Sequence, residues 1–390
     1  MIEPEEDNEA RQSLFEIMGS LDCCVSEFKK EDSREEEEKE TIEYFYESYG
    51  GLVSKERIRH FLDEYWTLSR KIHDLQRQST AEQRTEAWYY MRYNMITASS
   101  VWKIFRSTAQ RNSLIYEKCG PPPSPFNNTL GDNSYKNDNV NGGNSSGGGG
   151  ARQWGQKYEP LSALLYERRF NTRIGEFGCI RHPRHEFLGA SPDGINIDPA
   201  SPLYGTMVEI KNIVNRPITG TPKDEYWIQM QIQMEVCDLD RCHFVETRFK
   251  EYSGGRQEFY EDAIHDVRGV ATRPSMENGE NKYTFHILEQ NNTKTPMGYE
   301  EIIAWTKTLP NPLTHEYLYW FLDEMSCIMV ERDRAWFQSH VGAMEETWAT
   351  IVKERVEGCD HRKPKSRKQP SDVPHPGLFL DNEDVVVALL

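Results

Sequence analysis

Long hydrophobic runs are missing from this chain: no stretch approaches the ~18–20 apolar residues that a membrane-crossing helix needs. The first residues, Met1-Ile2-Glu3-Pro4-Glu5-Glu6-Asp7, lack the basic-then-apolar layout of a secretion signal. Cysteine is sparse, eight in 390 residues, and no Cys-x-x-Cys pair occurs, which argues against a disulfide framework. No internal repeat is visible. These absences predict a soluble, intracellular, reduced protein without a membrane partner. Bases are also in the minority, 46 Lys+Arg against 63 Asp+Glu, a formal net charge of −17. Spread evenly, that balance would count against a nucleic-acid partner. It is not even: residues 1–50 hold 17 acids and 5 bases, and the remaining 340 residues carry only −5. A body so close to neutral has room for a local basic channel.

Apolar residues at 37% and aromatics at 11% suffice for a real core and exclude wholesale disorder. The length suits one large domain with appendages, or two domains. The run Glu35–Glu38 reads as a solvated face or a mobile arm. From Glu40 to about Gln78, Ile42, Phe45, Tyr46, Tyr49, Ile58, Phe61, Leu62 and Tyr65 recur at helical spacing, a leader packed on the body. Residues 120–150, rich in Asn, Gly and Ser, cannot bury enough apolar surface to offset their ordering entropy, and read as a disordered insertion. After it the pattern predicts a helix from Leu161 to about Phe170 and short strands near Ile174–Arg181, Gly194–Ile197 and Met207–Lys211. A helix over Lys223–Cys237, a strand at His243–Phe249 and another at Lys282–Glu289 follow. Such alternation means an α/β or α+β core. Thr314 to about Val356, rich in Trp and Tyr, reads as one or two long helices, and Arg362–Lys368 as a basic tail, either a nuclear-localisation or DNA-contact patch or merely solvated. The domain organisation expected is therefore an acidic arm and leader at 1–80, a central domain at 81–255 and a helical extension at 256–390.

The chemistry concentrates at Ser191-Pro192-Asp193-Gly194 and Val208-Glu209-Ile210-Lys211. In Glu-x-Lys on a strand the period of two puts both side chains on one face, and an Asp opening the preceding strand can meet them across a hairpin. Two carboxylates offer hard oxygen ligands to Mg²⁺, which takes one or two carboxylates plus phosphate oxygens and water. A Lys beside them can orient a water or offset phosphate charge. The bland alternative, a hairpin with a surface salt bridge between Glu209 and Lys211, stays open on these residues alone. His182 and His185 read better as structural histidines. Cys179, Cys237 and Cys242 lack the close spacing of a cluster site.

Pro192-Asp193…Glu209-Ile210-Lys211 resembles the signature of the PD-(D/E)XK nuclease superfamily. More narrowly, the chain is similar to the lambda-exonuclease-like, or YqaJ-type, viral recombinase nucleases of phages and large DNA viruses. Four blocks in order carry that likeness: Gln83–Trp88 with Arg92 and Ile96–Ser99; Trp154–Glu159; Ala190–Gly194; and Tyr226–Gln231. The matched part spans about Gln83–Phe249, under half of the chain.

The resemblance implies a restriction-endonuclease-like core, a central mixed sheet flanked by helices, with helical additions at both ends. It implies that Asp193, Glu209, the Ile210 carbonyl and Glu159 hold Mg²⁺, with Mn²⁺ as a substitute, that Lys211 positions the attacking water, and that Gln229 belongs to the active site. Pro160 directly after Glu159 suits the first turn of a helix and suggests that Glu159 sits at a helix start. Arg92 and Ser99, with Ser191 and Lys211, would grip a 5′-terminal phosphate, and Trp88 would stack on the terminal base pair, unless it is a core tryptophan. The implied activity is 5′→3′ digestion of one strand of linear duplex DNA, leaving 3′ overhangs for recombination or repair. A homotrimeric ring, a single-strand-annealing partner and, for a viral protein, the infected-cell cytoplasm or nucleus come with it. A structure-specific endonuclease on the same core, or a non-catalytic DNA-end-binding protein, are the alternatives.

Overall fold

The computed structural model describes residues 4–22, 31–48, 51–78, 85–121, 151–273, 283–288, 297–309 and 316–364. The insertion from 122 to 150, Gln83 and Arg84, and the tail from Lys365 onward lie outside the described residues. Three leader helices come first: α1 (Pro4–Asp22), α2 (Glu31–Ser48) and α3 (Lys55–Gln78). Their apolar positions meet one another, Leu14, Phe15, Ile42, Phe45, Ile58, Phe61 and Tyr65 all being buried. The acidic N-terminal segment thus contributes two helices, α1 and α2, packed on α3. On its far side the leader supports the body, where Tyr65 stacks on Tyr204 and Ser69 hydrogen-bonds the Tyr204 hydroxyl.

The central part opens with α4 (Glu86–Tyr93), β1 (Ile96–Thr97), α5 (Ala98–Arg106) and α6 (Thr108–Cys119). Then come α7 (Ala151–Phe170), β2 (Ile174–Gly175), β3 (Ile180–Arg181), β4 (Leu188–Ala190), β5 (Gly194–Asn196), β6 (Met207–Asn212), α8 (Asp224–Cys237) and β7 (Arg241–Glu251). The chain continues through α9 (Gly255–Glu261), β8 (Arg268–Arg273), β9 (Thr284–Ile287), α10 (Met297–Thr306), β10 (Glu316–Glu331) and α11 (Arg334–Glu357). Seven strands form a sheet in the order β2-β5-β6-β7-β10-β8-β9, antiparallel except where β6 and β7 run parallel. That parallel pair needs a crossover, which α8 supplies. A small sheet, β1-β4-β3, holds β1 parallel to β4. This mixed sheet flanked by helices is the α/β architecture that the sequence implies.

Two expectations fail. Residues 316–331 are a strand, and only Arg334–Glu357 is helical. Tyr317, Tyr319 and Phe321 pack toward Phe259 and Ile302, while Leu318, Trp320 and Leu322 pack toward Tyr158 and Leu161 of α7. A strand that buries side chains on both faces reads as an unbroken apolar run, which periodicity cannot separate from a buried helix. A register shift between Leu322 and Glu324 then moves Met325 and Cys327 onto the α7 side. Because β10 pairs with β7 along its length, the residues beyond 255 continue the central sheet. The second failure concerns α7, which begins at Ala151, so Glu159 and Pro160 sit in mid-helix. Proline there removes one backbone donor from the helix ladder.

Candidate active site

The period of two on β6 sorts its side chains cleanly. Val208 and Ile210 join the cluster around Tyr166 of α7, while Glu209 and Lys211 face the other way, toward α8. Lys211 donates to Glu209 Oε1, and Gln229 Nε2 of α8 donates to the same oxygen at 2.7 Å. Gln233, one helical turn on, donates to Glu209 Oε2 at 2.7 Å. Glu209 is fully buried, so these three donors replace the water its charge has lost. The sequence motifs do not single out Gln233, although its i+4 spacing from Gln229 puts both amides on one helix face.

Asp193 enters from the β5–β6 hairpin. β5 begins at Gly194, paired with Val208, so the edge of β6 beyond Val208 has no strand partner on this side. The Asp193 carboxylate takes that place and accepts from the Ile210 N–H at 2.7 Å. A residue's N–H and C=O point to the same edge of a strand, so the Ile210 carbonyl shares the Asp193 edge. Gly194 is required here, because a Cβ would come within 2.4 Å of Ile174 Cγ2. Burial, reinforced by the Glu209 carboxylate, pushes the Asp193 carboxyl well above its ordinary range, with a smaller push from Glu159 and opposing pulls from Lys211 and the Ile210 N–H. Burial alone would lower the Lys211 ammonium, but Glu209 and Asp193 outweigh it and hold the group above its ordinary value. The Lys211 ammonium also lies 5.2 Å from the centre of the Tyr226 ring.

Two crowded carboxylates, one of them destabilised as an anion by the other, are a donor set that a divalent cation suits. Among the described residues no three His, Cys, Asp or Glu side chains are grouped to hold a metal ion. Asp193 and Glu209, with the Ile210 carbonyl, would hold such a cation. Glu159 is near enough to act on Asp193 through its charge.

The second half of the site follows from the small sheet. Since β1 and β4 are parallel, with Thr97 opposite Gly189, their carboxyl ends come together. Residues just past them, Ser99 and Ser191, therefore share one end of the sheet. Arg92, in the last turn of α4, donates to Ser191 Oγ at 3.3 Å and contacts Thr97 Oγ1 at 3.5 Å, both long for hydrogen bonds. Thr97 Oγ1 in turn lies 3.3 Å from Ser99 Oγ and 3.4 Å from Ser100 Oγ, at the start of α5. An Arg fork, four hydroxyls and a helix start are what a phosphate dianion needs. Trp88 is half-buried on α4, a helix that buries no residue, with the Arg92 guanidinium 4.4 Å from its ring centre. The alternative of a core tryptophan is thus not what the fold shows. His182 is buried with its Nδ1 accepting from the Arg184 and His185 amides, a structural role.

Comparison with known proteins matches residues 87–240 to the YqaJ-like viral recombinase domain. An uncharacterised protein of Acanthamoeba polyphaga mimivirus is 24% identical over 310 residues, covering 70% of this chain and 52% of that one. The chain thus spans about half the length of that curated relative. Among solved structures, an alkaline exonuclease of Laribacter hongkongensis is 20% identical with a TM-score of 0.35, covering 71% of this chain and 95% of that one. A phage-related exonuclease of Haemophilus somnus is 13% identical with a TM-score of 0.31, covering 69% and 96%. Overlaps this loose give no residue-by-residue correspondence. The matched stretch contains the whole β5–β6–α8 constellation together with Trp88, Arg92 and Ser99, but neither β10 nor α11. No described helix is long and apolar enough to cross a membrane.

Proposed function

We propose that the protein is a Mg²⁺-dependent 5′→3′ deoxyribonuclease acting on 5′-phosphorylated ends of linear duplex DNA. One observation carries this reading: the Arg92 fork bonds Ser191, which lies two residues ahead of Asp193. Two residues of extended chain span at most about 7 Å, so a phosphate held by Arg92 and Ser191 sits next to the carboxylates. An enzyme that cuts internally has no use for a grip on a terminal phosphate so close to its reacting centre.

In this reading Asp193, Glu209 and the Ile210 carbonyl hold Mg²⁺, with Mn²⁺ as a substitute. The cation, when bound, supplies charge neutralisation at the scissile phosphate and acidifies water. Gln229 and Gln233 keep both Glu209 oxygens oriented, as outer partners of a ligand do. Lys211 orients the attacking water and offsets the charge growing on the phosphate. Arg92, Ser191, Thr97 and Ser99 hold the terminal phosphate, and Trp88 stacks against the last base, a contact worth about 1–3 kcal/mol for any sequence. The 3′-tailed product would feed a single-strand-annealing partner, and ring assembly as a homotrimer would keep the enzyme on its strand.

The test is digestion of a linear duplex with a 5′-phosphate at one end and a 5′-hydroxyl at the other, with Mg²⁺, beside a closed circular plasmid. Loss from the phosphorylated end with the circle intact is the expected result. Cutting of the circle would replace this reading with an endonuclease on the same carboxylates. No loss of any substrate would leave a DNA-end-binding protein.

A further inference from the structure

Helix α4 carries Trp88 and Arg92 but is only eight residues long and buries none of them. Helices that short are marginal unless something outside them holds them. Its N-terminus has an ordinary cap, Thr85 Oγ1 accepting from the Trp88 N–H. Its C-terminus is different. The Lys118 ammonium, buried at the end of α6, donates to the Arg92 carbonyl at 2.6 Å. Arg355, in the last turn of α11, donates through Nη2 to the Tyr93 carbonyl at 2.7 Å and through Nε to the Lys118 carbonyl at 2.9 Å. The same guanidinium lies 3.9 Å from the centre of the Tyr93 ring. One fork therefore joins the last carbonyls of two helices, where the negative end of each helix dipole favours a cation. Cys119 Sγ, donating to the Ile351 carbonyl at 3.7 Å, ties α6 to α11 beside it. Arg355 lies far outside the matched stretch 87–240.

We infer that Arg355 is a positioning residue: through Lys118 and the end of α4 it sets Arg92 against Ser191 and so determines the grip on the terminal phosphate. The inference rests on the proposed phosphate pocket. A point charge cannot reproduce it, because the two carbonyls belong to different helices and need the two divergent N–H groups of a guanidinium.

The test uses the full chain and a short duplex bearing either a 5′-phosphate or a 5′-hydroxyl, with binding measured in the absence of divalent cation. Wild type comes first, and its preference for the phosphate defines the pocket. Arg355→Met is expected to reduce that preference about tenfold or more, the usual consequence of losing charge-assisted hydrogen bonds, while binding of the hydroxyl end stays unchanged. Hydrogen exchange of the amides in Glu86–Tyr93 should quicken in the same variant, a readout that needs no DNA. Arg355→Lys, which can reach one carbonyl, should fall between the two and carries the test if Arg355→Met does not fold. A folded variant with the wild-type preference, or one that weakens both ends equally, overturns the inference. Equal binding of both ends by wild type overturns the pocket and the inference together, and the exchange data then say whether the brace itself exists.

Discussion

The carboxylate cluster and the proposed phosphate pocket are held by different physics. Glu209 and Lys211 sit on a strand inside a seven-stranded sheet, Gln229 and Gln233 on a helix whose second half is entirely buried, and Asp193 directly ahead of β5. Each oxygen of Glu209 has a donor, and the bonds from the two glutamines are short. Arg92 instead rides on a two-turn helix with no buried residue, touches Ser191 and Thr97 at long distances, and is steadied from Lys118 and Arg355. The proposed reacting groups thus sit on or beside deeply packed elements. The proposed grip on the terminal phosphate sits on a lightly packed helix held from its C-terminal end. Rigid elements place reacting groups most accurately, and elements that must move are drawn from regions of low local stability.

That contrast can be broken most decisively at Lys211. Lys211→Met should lower single-turnover hydrolysis of linear duplex by at least about 10³-fold at both kinds of end, since it removes charge stabilisation in the transition state. It should also lower the thermal midpoint, because Glu209 is left buried without its cation. Leaving one ion of a buried pair costs about 3–5 kcal/mol, and the lower end applies here because Lys211 keeps some contact with water. Hydrolysis within tenfold of wild type would remove Lys211 from the reacting centre. Gln233→Ala should cost less, about 10–100-fold in the Mg²⁺ dependence of the rate with the end preference intact, as outer partners of ligands do. Arg92→Ala sharpens the other side of the comparison: the phosphate preference should fall by roughly tenfold or more, while slow digestion of hydroxyl ends persists. If Arg92→Ala weakened both ends alike, or Gln233→Ala changed the end preference, the division into halves would be wrong.

The smallest expected effect is a pH dependence of stability. Burial lowers the Lys118 ammonium to about 8, with Arg92, Arg355 and Lys103 adding to it and Glu117 opposing. Between about pH 8 and the ordinary lysine range the unfolded chain holds a proton that the folded chain has given up. Unfolding therefore becomes harder as pH rises through that window, by up to about 1.4 kcal/mol per unit. Urea unfolding of wild type and Lys118→Met at pH 7.5 and about pH 9.5 checks this through their difference, which cancels tyrosines and other groups that titrate nearby. A difference that does not change with pH would mean that Lys118 keeps its ordinary affinity for the proton.

Much of the carboxylate half is legible in the sequence. Glu209 and Lys211 share a face because a strand has a period of two, and Asp193 meets them because β5 pairs antiparallel with β6 and places the residue ahead of Gly194 beside Glu209. Gln229 is legible from its block, and helical spacing extends that block to Gln233. Legibility ends where partners are distant or ambiguous. Pro160 argues for a helix start at Glu159, yet α7 runs through it, anchored by Tyr158, Leu161 and Leu165 in the core. The β10 segment reads as helix because its two faces are both packed, and only its pairing with β7 and β8 distinguishes the two readings.

By itself, then, the sequence determined the α/β class, the strand that carries Glu209 and Lys211, and the identity of the residues that converge there. These depend on local periodicity and on contacts close along the chain. Only the tertiary structure decided that residues 316–331 join the central sheet and that Arg355 closes the end of α4. Arg355 and Tyr93 lie more than two hundred residues apart, and no local pattern encodes which of many distant cations will reach a given carbonyl. Packing of α11 against α6 makes that choice, because it brings the Arg355 guanidinium within reach of both helix ends.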